Sequence, residues 1–152
     1  MARHTRYQGI VVRNHLALLI KHREHSTGKG YWVIPGGGIE PGETEEDCIK
    51  RELKEETNLD VDVIQLLYDE PDHPDSIYTC RKTYLCRPLS GVPSPGFEPE
   101  LEAQANYSIT EVRWFDLQAE SEWPVELCND PFTYPQMAHI RQVLGYPKPD
   151  LR

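Results

Sequence analysis

Residues 45–57 contain neither glycine nor proline, and they follow directly on residues 35–42, where six of eight positions are one or the other. A turn-forming segment therefore gives way abruptly to a run of helix formers. Thr44 is suited to cap the new helix, and Asp47 three residues on makes a variant of the capping box. Asn58 stands where the helix should end, and asparagine tolerates the left-handed conformation that such an end often requires. The pattern predicts one helix over residues 45–57. On a wheel of about 100° per residue, Cys48, Ile49 and Leu53 form a narrow apolar stripe. Glu52, Glu55 and Glu56 gather at its edge, while Lys50 and Lys54 face away.

Around this helix the chain reads mainly as strands. Residues 7–13 and 16–21 pair through a turn at Asn14-His15, and His22 to Gly30 reads as a loop. Residues 31–34 form a third strand that stops at Pro35. Strands are expected over 61–68, 77–87 and 108–117, a proline-bearing acidic loop over 88–102, and a last helix over 136–144. The order predicts a mixed sheet with helices packed on it. With 152 residues, 38% hydrophobic and 27% charged, the chain is expected to form one domain over 1–152. No apolar run is long enough to span a bilayer, and the N-terminus lacks the pattern of a secretory signal. The four cysteines, at 48, 80, 86 and 128, lack zinc-ligand spacing and read as reduced thiols, which points to the cytoplasm.

The net charge of −9 disfavours non-specific binding to nucleic acid. The charge is unevenly placed. Residues 1–30 hold six cations and one anion, net +5, which leaves −14 on the remaining 122 residues. A basic edge beside an acidic body suits a phosphate-bearing small molecule held with a metal ion, although chance asymmetry gives the same count.

Like charges one helical turn apart destabilise an isolated helix, by roughly 0.2–0.5 kcal/mol per pair. A hard divalent cation turns that repulsion into coordination, and Mg²⁺ prefers carboxylate oxygens, water and phosphate. A solvated Glu/Lys face is the ordinary alternative for the helix taken alone. The flanks favour the metal. Gly36, Gly37 and Gly38 let backbone approach a ligand and offer amides to an anion. Glu43 lies eight residues before Arg51, so one arginine can hold a carboxylate through a bidentate contact.

Together these residues resemble the Nudix hydrolase signature, G-x5-E-x7-R-E-U-x-E-E-x-G-U with U aliphatic. Here it reads Gly37, Glu43, Arg51, Glu52, Leu53, Glu55, Glu56, Asn58 and Leu59, and eight of the nine specified positions match. Asn58 replaces the usual glycine, which touches the turn and removes no catalytic group. The N-terminal hairpin and Glu111–Leu117 also look like the family. The resemblance implies an α+β fold, a mixed sheet sandwiched between helices, and a hydrolase cleaving a pyrophosphate linkage with Mg²⁺ or Mn²⁺. It implies metal ligation by Glu52, Glu55 and Glu56, with Glu102 from the later loop. Glu52 is then the candidate general base, with Glu98, Glu100 and Glu102 as alternatives, and Arg51 orients Glu52. Gly37, Gly38 and Arg23 would meet substrate, and Glu43 and Asn58 would be structural.

The expected substrate is a nucleoside diphosphate derivative. Pro74, fifteen positions after Leu59, looks like the mark of the ADP-ribose group and leans the reading to ADP-ribose or a nucleotide sugar. A nucleoside triphosphate or dinucleoside polyphosphate is the alternative within the enzyme class, and a nucleotide-sensing module the alternative outside it. Trp32, Tyr68, Tyr78 and Tyr107 are candidates to stack on a base, with core roles as the competing reading. Arg6 and Lys21 join Arg23 as candidates for phosphate contact, with plain surface positions as the competing reading. His22 and His25 read as loop residues. Family members are often dimers, so a homodimer stays open.

Overall fold

Asn14 adopts a φ of 57°, and this left-handed residue reverses β1 (Arg3–Arg13) into β2 (Leu16–Glu24). The computed structural model describes residues 3–97 and 106–147. β1 and β2 pair only next to their turn, at Val12–Ala17 and Arg13–Leu16. Beyond it they take different partners. β1 pairs in parallel with β6 (Tyr78–Ser90) and, on its other edge, with a two-residue β4 (Gly36–Gly37). β2 pairs with β3 (Gly30–Val33) and, along its whole length, with β7 (Tyr107–Asp116). β5 (Asp60–Pro71) closes the outer edge against β6. The result is a seven-stranded mixed sheet in the order β3-β2-β1-β6-β5, with β4 on β1 and β7 on β2.

Strand alternation divides the core into two layers. Ile10, Ala17 and Leu19 point to one face, where they meet Trp32, Phe115, Leu127, Met137 and Ile140. Val11 and Leu18 point to the other, against Ile49 and Leu53 of α1 (Glu45–Thr57) and Leu59, Val61 and Cys86. Ile49 and Leu53 are fully buried, and each stabilises the fold by roughly 2 kcal/mol. The first layer is covered by α2 (Val125–Cys128) and α3 (Thr133–Val143). The sheet is therefore sandwiched between helices, as the α+β expectation required. The four cysteines are free thiols. Among the described residues, no helix is long and apolar enough to cross a membrane.

α1 has the predicted bounds. Thr44 Oγ1 accepts from the Asp47 amide at 3.1 Å, and Glu45, Glu46 and Asp47 face the positive end of the helix dipole. Asn58 closes the helix at φ 62°, its amide N–H bonded to Lys54 O and its side chain donating to Ser94 Oγ at 2.9 Å. Asn58→Ala should lower stability by about 1–2 kcal/mol in urea denaturation, because alanine strains in this conformation and loses the Ser94 contact. Asn58→Gly should stay within about 0.5 kcal/mol.

Several boundaries differ from expectation. β1 begins at Arg3, four residues before the expected start at Tyr7, because β6 supplies partners from Tyr78 onward. β2 continues through His22–Glu24, which were expected in a loop, because β7 supplies partners at Ile109, Ser108 and Tyr107. β5 and β6 run on through Pro71 and Pro88. β5 is an edge strand, and Pro88 lies past Val11–Cys86, where the β1–β6 pairing ends, so neither ring removes a needed donor. α3 starts at Thr133, where the Asp130 carboxylate accepts from the Phe132 and Thr133 amides, both at 2.8 Å, and Pro135 occupies the first turn. Neither β4 nor α2 was expected.

Candidate active site

Arg51 stands at the centre of the signature residues. Its Nε and Nη2 grip both oxygens of Glu43, at 2.7 and 2.9 Å. Nη2 also donates to Gly38 O at 3.1 Å, and Nη1 to Glu52 Oε1 at 3.0 Å and Glu55 Oε2 at 3.3 Å. One guanidinium thereby ties the chain before α1 to two successive turns of the helix. These contacts raise the Arg51 pKa further, and the same arginine holds Glu43 below the ordinary carboxylate value.

Glu52 is 2% exposed and Glu56 1%. Burial pushes the Glu52 carboxyl up to about 7, against the opposing pull of Arg51 and Arg6. Glu56 Oε1 accepts from the Gly36 amide at 2.8 Å. Gly37 has no side chain for a steric reason: a Cβ there would lie 2.5 Å from Glu52 Oε1. β4 thus exists to lay bare backbone against both β1 and the two buried glutamates. Gly38 is buried as well, with its carbonyl taken by Arg51.

The loop after β6 returns to the same helix end. The amides of Ser94, Gly96 and Phe97 donate to the carbonyls of Thr57, Glu56 and Glu55, at 3.0, 3.0 and 2.9 Å. The unpaired C-terminal carbonyls of α1 are satisfied in this way. At the other end of the segment, Asn106 O accepts from the His25 amide at 2.8 Å. Glu98, Glu100 and Glu102 lie outside the described residues.

The donor chemistry fits a hard cation: carboxylate oxygens, two of them almost wholly desolvated. Among the described residues no three His, Cys, Asp or Glu groups form a complete cage. Arg51 draws Glu52 and Glu55 to itself, while Glu56 turns to Gly36.

A cleft of about 780 Å³ opens where β1 parts from β2 and β3. Arg6 and Gln8 of β1, His22 of β2 and Tyr31 of β3 line it. Tyr107 stacks on His22 with ring centres 5.6 Å apart, and across the cleft His73 lies against Phe132 at 4.1 Å. Of the aromatic candidates, Tyr78 and Tyr107 line the cleft. Trp32 is in the core with its indole N–H bonded to Glu126, and Tyr68 is buried against His139. Lys21 pairs with Glu126 at 3.1 Å. Arg23 is not among the lining residues. Its neighbour His22 faces the cleft, so alternation turns Arg23 to the opposite, exposed side. Tyr31, His73, Arg81 and Phe132 were not foreseen, because nothing local marks them and only the fold gathers them.

The connection between β5 and β6 walls the cleft with Asp72, His73, Asp75 and Ser76, and Pro74 lies in its turn. Burial opposes the Asp72 charge, but the Ser76 hydroxyl, the His73 amide and Arg81 outweigh it and hold the carboxyl below its ordinary 3.8. A depressed acid stabilises the fold above that value and stops doing so as pH falls through the lower folded-state value. Asp72→Asn should therefore lower the melting temperature at neutral pH and flatten its decline in acid, read by thermal melts between about pH 6 and pH 2.

The NUDIX domain model matches residues 3–134. The chain belongs to the Nudix hydrolase family. Among its Nudix relatives, an ADP-ribose pyrophosphatase of Methanocaldococcus jannaschii is 33% identical over 111 residues, 72% of this chain and 59% of that protein. The NAD-capped RNA hydrolase NudC of Vibrio atlanticus is 34% identical over 110 residues, 71% of this chain and 36% of that protein. The match to this chain thus spans less than two thirds of either relative. An ADP-ribose pyrophosphatase structure from Streptococcus suis superposes with a TM-score of 0.66 at 19% identity, covering 97% of this chain and 96% of that one. A Nudix hydrolase from Nitrosomonas europaea gives 0.70 at 21%, covering 97% and 76%. These two likenesses establish the shared Nudix fold.

Proposed function

We propose that the protein is a Mg²⁺-dependent pyrophosphohydrolase that cleaves a nucleoside diphosphate derivative, with ADP-ribose or a nucleotide sugar favoured. The observation that carries this reading is the pairing of two buried glutamates, Glu52 and Glu56, with an arginine that braces one of them. A ring-lined cleft of nucleotide size lies alongside, and the charge of Arg6 acts on Glu52. The lean to ADP-ribose draws on Pro74 in the turn beside the cleft and on the likeness to the archaeal ADP-ribose pyrophosphatase.

Glu52, Glu55 and Glu56, with Glu102 from the following loop, would hold Mg²⁺ or Mn²⁺. When bound, the cation neutralises charge that develops on the phosphate oxygens. Arg51 fixes the orientation of Glu52, and Gly37 gives it room. A water attacks phosphorus, the anhydride P–O bond breaks, and a carboxylate takes the water's proton. Glu52 is the proposed base, with Glu98, Glu100 and Glu102 as competitors. The cleft holds the nucleoside by its rings and polar edges.

A panel of ADP-ribose, nucleotide sugars, nucleoside triphosphates and dinucleoside polyphosphates, assayed with Mg²⁺, tests the reading. Mononucleotide release from the diphosphate derivatives is the expected result. Pyrophosphate release from triphosphates alone would move the substrate class. Ligand binding without any product would make the protein a sensing module.

A further inference from the structure

Arg6 and Arg81 are Cα partners across the parallel pair β1–β6, and both line the cleft. Two like charges side by side on paired strands repel. Among the described residues only one of them is paired with carboxylates. Arg81 Nη1 binds Asp72 at 2.6 Å and Nη2 binds Glu70 at 2.7 Å, so its charge is met by two carboxylates. Among those residues the hydrogen-bond partners of Arg6 are neutral. Its Nη2 donates to Ile34 O at 2.8 Å and its Nε to Gln8 Oε1 at 3.3 Å.

The second of these partners is itself fixed. Gln8 is buried, and its Nε2 donates to Thr83 Oγ1 at 2.7 Å and to Gln136 Oε1 at 2.8 Å. The Arg6 fork is therefore aimed from two sides by acceptors that carry no charge. Arg6 lines the cleft and binds Ile34 O, and the next residues of β1, Tyr7 and Gln8, pair with Gly37 and Gly36, which meet Glu52 and Glu56, so Arg6 lies where the cleft adjoins the acidic helix. A guanidinium so placed suits the flat, multiply accepting edge of a phosphate.

Building on the proposed hydrolase reading, we propose that Arg6 binds a phosphate oxygen of the nucleoside diphosphate moiety and so registers the substrate between cleft and carboxylates. Arg81 is then a wall of the cleft, its Nη1 and Nη2 engaged by Asp72 and Glu70 and its Nε buried without a partner among the described residues.

The test is calorimetric binding in EDTA of ADP, GDP and UDP, each beside its nucleoside, to the wild-type chain and to Arg6→Ala and Arg6→Lys. The wild type should bind at least one nucleotide more tightly than its nucleoside. Arg6→Ala should lose about 10-fold or more in nucleotide affinity and stay within about 2-fold for the nucleoside, the scale of one charge-assisted contact. Arg6→Lys should fall between, since it keeps the charge and loses the fork. Unchanged nucleoside binding also shows that the variant cleft is folded. If Arg6→Ala keeps the wild-type preference for nucleotide, the assignment of Arg6 fails and the hydrolase reading stands. If the wild type binds none of the six compounds, the assignment of Arg6 fails, and the substrate panel with Mg²⁺ decides the hydrolase reading separately.

Discussion

Glu56→Gln is expected to lower turnover by at least about 100-fold with little change in stability. Glu56 is 1% exposed and accepts from the Gly36 amide, and glutamine keeps an oxygen for that bond. What it removes is one negative charge from the set proposed to hold the cation. Losing a single electrostatic element of a preorganised site commonly costs 10²–10³ in rate. Single-turnover and steady-state assays at saturating Mg²⁺ would measure the effect, with a melt to establish the fold. Turnover within a few-fold of wild type would remove Glu56 from the site.

Arg51→Ala should cost about 3 kcal/mol of stability and most of the activity. The side chain binds Glu43 bidentately, reaches Glu52 and Glu55, and takes the Gly38 carbonyl. Its removal leaves three carboxylates facing one another, with Glu52 almost fully buried. Stranding a buried charge costs roughly 3–5 kcal/mol, and the 21% exposure of the Arg51 side chain places the effect at the low end. Arg51→Lys should recover part of the stability but not the two-oxygen grip on Glu43. Urea denaturation reads the difference. A loss below about 1 kcal/mol would mean that solvent already satisfies these carboxylates.

The two halves of the molecule were unequally legible. α1 and its caps could be read to the residue, because Thr44, Asp47 and Asn58 act on their near neighbours. The Arg51–Glu43 contact was accessible from spacing for the same reason. β4 escaped notice because glycines carry no pattern of burial. They were read as room for a ligand, whereas Gly36 pairs with Gln8 on β1 and Gly37 makes room for Glu52. α3 begins three residues before the expected 136, because the first turn of a helix accepts Pro135. Arg6, Tyr78 and Tyr107 were candidates from the sequence, but the cleft they share was not legible, for a deeper reason. Arg6, Tyr31, His73, Tyr107 and Phe132 come from five separate stretches, and no local rule joins them. Arg23 was chosen for its charge, but which side of a strand a residue faces depends on register, and here His22 won the inner position.

Phe97 is fastened to the end of α1 and Asn106 to His25, and all four atoms in these two bonds belong to the main chain. Any residue but proline at 97 or 25 can donate in the same way, so drift in the side chains at these junctions costs the domain neither fastening.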